Sequence, residues 1–145
     1  MKQTSPSNDA DFRIGRALVV EDDPILAMFI EETLADGGAS QVVVCSSTAQ
    51  AVEALEHGPP ELVILDVHLV DRNDGWALAE LVIQLATERP RIVFSTGDPN
   101  AIPDHVKAMG TVLAKPYSRE MLLEAARNSR PTRLFSRLRN AIFDS

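Results

Sequence analysis

The most apolar run in the chain is Glu61-Leu62-Val63-Ile64-Leu65-Asp66, which ends in a carboxylate. A second apolar run, Ala17 to Val20, is followed by the acidic cluster Glu21-Asp22-Asp23. Short continuous apolar runs are typical of strands that are buried on both faces of a sheet. Two later runs end at Thr96 and just before Lys115. We therefore expect acids, a hydroxyl and an ammonium to meet at one end of a sheet, an arrangement suited to metal-assisted phosphoryl chemistry.

The apolar runs alternate with segments whose apolar residues recur at helical spacing. Asp23 before Pro24, and Ser47 before the next segment, are typical helix N-caps. Alternating strands and helices predict a parallel sheet covered on both faces, with ligands bound beyond the carboxyl ends of the strands. The predicted strands are residues 17–20, 41–45, 62–65, 91–95 and 111–114, and helices are expected after Asp23, after Ser47, from Trp76 to Leu85 and after Ser118 to about Arg127.

Length and composition indicate one ordinary globular domain. The chain has 145 residues, 45% of them apolar, and no apolar run approaches the roughly 18 residues that a membrane span requires. Its N-terminus lacks the apolar segment of a secretory signal. The single cysteine, Cys45, excludes an internal disulfide, which fits a reducing compartment. We therefore expect a cytoplasmic protein without stable membrane insertion.

Charge divides the chain unevenly. The net charge of −7 argues against a nucleic-acid binder, because such binding depends on neutralising phosphates with basic residues. Five of the 14 basic residues nevertheless lie after position 126, where Asp144 is the only acid. We predict a disordered arm over residues 1–13, a domain over 14–128 and a basic amphipathic extension over 129–145. The extension could fold back onto the domain, associate with a partner or another copy, or attach to an anionic lipid surface.

Four motifs at strand ends resemble, in order and spacing, those of response-regulator receiver domains, the phosphoacceptor modules of two-component signalling. The motifs are Val19-Val20-Glu21-Asp22-Asp23-Pro24, Leu65-Asp66, Phe94-Ser95-Thr96-Gly97 and Ala114-Lys115-Pro116-Tyr117. Each motif alone is a weak signal, but the four in register are a strong one. The resemblance implies a flavodoxin-like (βα)5 doubly wound sheet with strand order 2-1-3-4-5, here of the stand-alone type without an output domain.

The same resemblance implies the function of the strand-end residues. Asp66 matches the aspartate that accepts a phosphoryl group from a histidine kinase or phosphotransfer protein. Thr96 would hydrogen-bond a phosphoryl oxygen, and Lys115 would pair with another oxygen or with Asp66. Such a protein signals by protein–protein interaction and catalyses only its own phosphorylation and dephosphorylation.

A magnesium site is also implied by the resemblance. Glu21 and Asp22 match the acidic pair that holds the ion, with Asp22 as the direct ligand and Glu21 acting through water. Asp66 and the backbone carbonyl of His68 would complete the protein ligands. Mg²⁺ suits hard oxygen ligands beside a phosphate, and it would relieve the repulsion among the carboxylates.

Several positions depart from the family pattern. Val112 stands where many receivers carry an aromatic side chain that moves with the threonine. The loop after Asp66, residues 67–75, is one residue longer than usual and has Val70 in place of a common proline. Pro99 and Pro103 interrupt the segment between the fourth and fifth strands, so we expect a shortened fourth helix and a different output surface.

Two alternative functions follow from the same residues. The chain could be a receiver-fold interaction module that is never phosphorylated, although every acidic, hydroxyl and lysine position is filled. It could also be an enzyme that uses an aspartyl-phosphate. Against an enzyme, we see no separate general acid two residues after Asp66, where phosphatases that use an aspartyl-phosphate carry one. The sequence also has no Gly-rich phosphate loop of the P-loop kind.

Overall fold

The computed structural model describes residues 13–70, 76–85 and 90–128. Within them, five parallel strands form one sheet in the order β2-β1-β3-β4-β5. This confirms the predicted fold and strand order. The strands are β1 (Gly15–Val20), β2 (Ala39–Cys45), β3 (Leu62–Asp66), β4 (Arg91–Thr96) and β5 (Thr111–Ala114). The helices are α1 (Pro24–Asp36), α2 (Thr48–Glu56), α3 (Val67–Val70), α4 (Ala77–Leu85), α5 (Asp104–Lys107) and α6 (Arg119–Asn128).

Helices cover both faces of the sheet. Residues of α1 and α6 pack on one face, among them Ile30, Leu34 and Leu122. Residues of α2, α4 and α5 pack on the other. Successive residues of a strand point to opposite faces, so a strand covered on both faces must be apolar throughout. The central strand β3 is accordingly buried at every position, which explains the continuous run that begins at Leu62.

The first helix begins directly after the acidic cluster. The Asp23 carboxylate accepts hydrogen bonds from the backbone N–H groups of Ile25 (3.0 Å) and Leu26 (3.3 Å). These bonds satisfy donors that have no partner inside the helix. Asp23 is therefore an N-cap, as predicted, and its side chain fixes the point at which the chain leaves β1 and turns into α1.

The segment between β4 and β5 contains little helix. A 3₁₀ turn spans Pro99–Ala101, and the four-residue helix α5 follows directly after Pro103. Proline has no backbone N–H, so a longer helix through this segment would lack hydrogen bonds. The prediction that the helix between the fourth and fifth strands is shortened is confirmed.

One prediction about local structure was wrong, and others concern residues outside the described ranges. Residues 67–70, predicted as loop, form the short helix α3, because the Asp66 carboxylate accepts a hydrogen bond from the His68 N–H (3.1 Å) in the manner of an N-cap. The described residues include neither 71–75, nor the arm before Arg13, nor the extension over 129–145. In the described part of the chain, no helix combines the length and hydropathy that a membrane crossing requires.

Candidate functional site

The predicted site residues lie at the carboxyl end of the sheet. Glu21 and Asp22 follow β1, Asp66 ends β3, Thr96 ends β4 and Lys115 follows β5. These four strands are successive neighbours, with Val20 aligned to Leu65, Asp66 to Ser95 and Thr96 to Ala114. Because parallel strands end on the same side, their last residues converge there.

The three acids form a compact cluster. One carboxylate oxygen from each of Glu21, Asp22 and Asp66 lies within 4.8 Å of the other two. Glu21 and Asp66 are almost completely buried, at 2% and 3% exposure, whereas Asp22 is exposed. Two buried acids and one exposed acid give the cluster a buried base and an open side facing solvent.

Lys115 brings a positive charge to the buried acids. Its Nζ lies 3.3 Å from Asp66 Oδ1 and 3.6 Å from Glu21 Oε1. The Lys115–Pro116 peptide bond is cis, and the Lys115 N–H donates to the Thr96 carbonyl at 2.7 Å. The backbone bond to Thr96 therefore ties Lys115 to the end of β4, beside the acids.

Burial and charge shift the pKa values of two of these groups. Burial raises the pKa of Glu21 from 4.5 to about 7; the Asp23 N–H opposes this rise, and the nearby Asp66 adds to it. Burial alone would lower the pKa of Lys115, but the negative charges of Asp66 and Glu21 outweigh it and raise that pKa. One lysine therefore only partly compensates the carboxylates, which remain crowded by like charge.

Thr96 ends the strand next to β3, and His68 follows Asp66 by two residues. The Thr96 side chain is 6% exposed, and its hydroxyl oxygen accepts a hydrogen bond from the Asp98 N–H at 2.9 Å. This bond uses an acceptor lone pair and leaves the hydroxyl proton available for donation. His68 contacts Asp66 through its backbone N–H, as described above. The ligand role expected of the His68 carbonyl stays a prediction.

The donor set suits a divalent cation. Glu21 Oε1 is buried, and among the described residues it has no hydrogen-bond partner. Apart from the Lys115 ammonium at 3.6 Å, this buried oxygen has only apolar surroundings or like charge to face, which is costly, and a cation with its bound water would satisfy it. Three carboxylates supply hard oxygen donors, and the exposed Asp22 leaves room for the waters that Mg²⁺ retains. The residues present therefore fit a magnesium ion.

The sequence reading did not identify one polar contact beside the site. The Ser95 hydroxyl lies 3.0 Å from the Tyr117 hydroxyl, and Ser95 is completely buried. Both residues belong to the motifs quoted above, but the sequence gives no signal that they touch. A hydrogen bond between side chains 22 positions apart depends on the packing of two strands and a turn.

A doubly wound sheet with acids, a hydroxyl and a lysine at the ends of neighbouring strands defines a class of signalling domains. The profile of the family described as response regulator receiver domain matches residues 17–127. The chain belongs to this family. Receiver domains are signalling proteins rather than conventional enzymes.

Individual relatives agree with the family match. The chain is 31% identical over 127 residues to the transcriptional regulatory protein PdtaR of Mycobacterium tuberculosis, a match covering 84% of this chain and 60% of PdtaR. The chain thus spans less than two thirds of that relative. It is 28% identical over 111 residues to the chemotaxis protein CheY of Bacillus subtilis, covering 76% of this chain and 92% of CheY.

Solved structures show the same fold. A response regulator receiver domain (CheY-like) from Methylobacillus flagellatus superposes with a TM-score of 0.66 at 25% identity, covering 74% of this chain and 92% of that one. A response regulator receiver protein from Sinorhizobium medicae superposes with a TM-score of 0.61 at 28% identity, covering 77% and 90%. The family and the fold are therefore established by both sequence and structure.

Proposed function

We propose that this protein is a phosphoacceptor response regulator that receives a phosphoryl group on Asp66 in the presence of Mg²⁺. The observation that carries the proposal is the convergence of Glu21, Asp22 and Lys115 on the Asp66 carboxylate. In the proposed reaction, an Asp66 carboxylate oxygen forms a bond to phosphorus while the bond between phosphorus and the donor breaks. The donor's leaving group keeps that electron pair.

The residues around Asp66 have distinct proposed tasks. The Lys115 ammonium, which already pairs with Asp66, stabilises negative charge on the phosphoryl oxygens, and the Thr96 hydroxyl donates a hydrogen bond to one of them. Asp22 binds a divalent cation directly, and Glu21 binds it through water. The ion would supply positive charge against the carboxylates and the transferring group. The protein's contribution is thus positioning and electrostatics.

The proposed phosphoryl donors in the cell are a histidine kinase or a phosphotransfer protein. Family membership supports this proposal, because receivers exchange phosphoryl groups with such proteins. Signalling would then proceed through contacts between proteins. We place the exchange in the cytoplasm, the compartment that the single cysteine favours.

Phosphorylation by a small donor tests the proposal without knowledge of the cognate kinase. The native protein, incubated with acetyl phosphate and Mg²⁺, should gain the mass of one phosphoryl group, and omission of Mg²⁺ should suppress the gain. Asp66→Asn keeps the side-chain volume and removes the nucleophile, so it should gain nothing. Asp36→Asn is the matched control, because Asp36 is an exposed acid on α1 whose partner is Arg119, and it should react like the native protein.

The outcome separates the proposal from its main alternative. No mass gain in the native protein, and no thermal shift with beryllofluoride and Mg²⁺, would favour an interaction module that is never phosphorylated. An undiminished mass gain in Asp66→Asn would place the acceptor elsewhere and refute the assignment of Asp66.

A further inference from the structure

We infer that Tyr117 is a positioning residue that holds Lys115 over the acceptor carboxylate through its hydrogen bond to Ser95. This inference rests on the proposed function, since it concerns the ammonium that serves Asp66. Its basis is a contact between the end of β4 and the turn after β5, two residues beyond the lysine.

The Ser95–Tyr117 contact has a buried anchor. The Ser95 side chain is completely buried on β4, directly before Thr96, and its Oγ lies 3.0 Å from the Tyr117 hydroxyl. A buried hydroxyl that loses its partner carries a desolvation penalty, so this pair resists separation. Burial also raises the pKa of the Tyr117 phenol, so the hydroxyl stays protonated at neutral pH. The end of β4 therefore holds the turn at residue 117.

A second bond fixes the same turn from its other side. The Lys115 N–H donates to the carbonyl of Thr96 at 2.7 Å. Two consecutive residues of β4, Ser95 and Thr96, thus each hold the turn, one through a side chain and one through the backbone. With both bonds in place, the Lys115 backbone has a defined position relative to β4. If only one of the two bonds remains, the turn can pivot about it.

The position of the Lys115 backbone matters because its side chain is long and only partly covered. The side chain is 27% exposed, and its Nζ lies 3.3 Å from Asp66 Oδ1. Lysine carries its ammonium on a flexible stem with four rotatable bonds, so the position of its Cα sets which part of the site the ammonium can reach. Tyr117 therefore affects the site through Lys115, and the hydrogen bond of its hydroxyl goes to Ser95 rather than to Asp66.

Packing holds the tyrosine ring independently of its hydroxyl. The ring lies against Phe29 of α1, with the centroids 6.4 Å apart and the planes tilted by 43°. Phenylalanine at position 117 would keep this contact and lose only the bond to Ser95. Tyr117→Phe consequently removes the hydrogen bond to Ser95 with little change in packing. Ser95→Ala removes the same bond by deleting the other hydroxyl.

Phosphorylation kinetics test whether Tyr117 acts on the reaction through Lys115. With acetyl phosphate and Mg²⁺, the initial rate of Tyr117→Phe should fall about tenfold, since misplacing a catalytic group by a fraction of an ångström costs large factors in rate. Ser95→Ala should show a similar loss, and the double variant should be no slower than either single variant. In a Lys115→Ala background, Tyr117→Phe should change the rate less than about twofold. An equal loss with and without Lys115, or no loss at all, would overturn the inference.

Hydrogen exchange supplies a readout that does not require phosphorylation. The Lys115 amide should exchange at least about fivefold faster in Tyr117→Phe, whereas the Val19 amide in β1, which β3 separates from β4, should keep its rate, because the opening is local. If the native protein takes up no phosphoryl group, the proposed function fails while this measurement still tests the placement. Unchanged exchange at Lys115, or equal acceleration throughout the protein, would contradict a positioning role.

Discussion

The two ends of the sheet differ in how completely their charged side chains are bonded. At the amino end, the Arg91 guanidinium donates to three backbone carbonyls, those of Ala126 (2.7 Å), Arg13 (3.0 Å) and Ile14 (2.5 Å). Close by, the Glu61 carboxylate accepts the N–H of Arg16 at 2.9 Å. These charges tie the first strand and the last helix to the sheet.

At the carboxyl end, the charges are crowded and incompletely bonded. Glu21 Oε1 is buried without a hydrogen bond among the described residues, and burial raises the pKa of Glu21 to about 7. The Lys115 ammonium lies 3.3 Å from the Asp66 carboxylate, which is long for a hydrogen bond between charged groups. The same fold therefore uses charge for stability at one end and keeps crowded, incompletely bonded charge at the other, as expected where charged groups are arranged for function rather than stability.

The largest expected effect on stability lies at the amino end. Arg91→Met would leave three carbonyls without their donor, and we expect the free energy of unfolding to fall by about 3 kcal/mol. Arg119→Ala is the control, because Arg119 pairs with Asp36 at the exposed surface and its loss should cost under about 0.5 kcal/mol. Urea denaturation measures both. Equal costs would contradict the view that Arg91 is a structural clamp.

At the carboxyl end, removing a charge should stabilise the metal-free protein. The pKa of Glu21 is raised from 4.5 to about 7, so its ionisation opposes folding; this cost is absent below pH 4.5 and complete above pH 7. Glu21→Gln should therefore add about 2 kcal/mol to the free energy of unfolding at pH 8 without Mg²⁺, and much less at pH 5. Urea denaturation at the two pH values checks this. A stabilisation independent of pH would refute the electrostatic explanation.

Magnesium should produce the smallest of the three effects, and only at the carboxyl end. Ten millimolar Mg²⁺ should stabilise the native protein by about 1 kcal/mol, as expected for an ion present at several times its dissociation constant. Asp22→Asn should lose most of this gain. Asp23→Asn is the matched control, since asparagine also caps helices and Asp23 serves as the N-cap. Thermal unfolding compares them, and an equal loss in both variants would show that the two acids act alike.

The sequence predicted the framework of the site because that framework depends on local signals. Apolar runs identify the strands, and the residue after each run identifies what lies at the carboxyl end, so the proximity of Glu21, Asp66 and Lys115 followed from topology. The Asp23 cap and the short helix between β4 and β5 likewise follow from neighbouring residues.

The sequence could not predict features that depend on contacts between distant residues. The bonds of Arg91 to Ile14 and Ala126, and the bond between Ser95 and Tyr117, join positions far apart in the chain. The helix α3 was also missed, because it begins with a side-chain cap from Asp66, a residue interpreted only as the phosphoacceptor and a magnesium ligand. Such contacts emerge once packing fixes which side chains meet.

Locating the modified residue tests the central claim most directly. After incubation with acetyl phosphate and Mg²⁺, borohydride reduction converts an aspartyl-phosphate to homoserine, and peptide mass spectrometry identifies the position. We predict a single converted residue, Asp66, and none when Mg²⁺ is omitted. Conversion at Asp22 or Glu21 instead, or no conversion in native protein that carries Mg²⁺, would contradict the account.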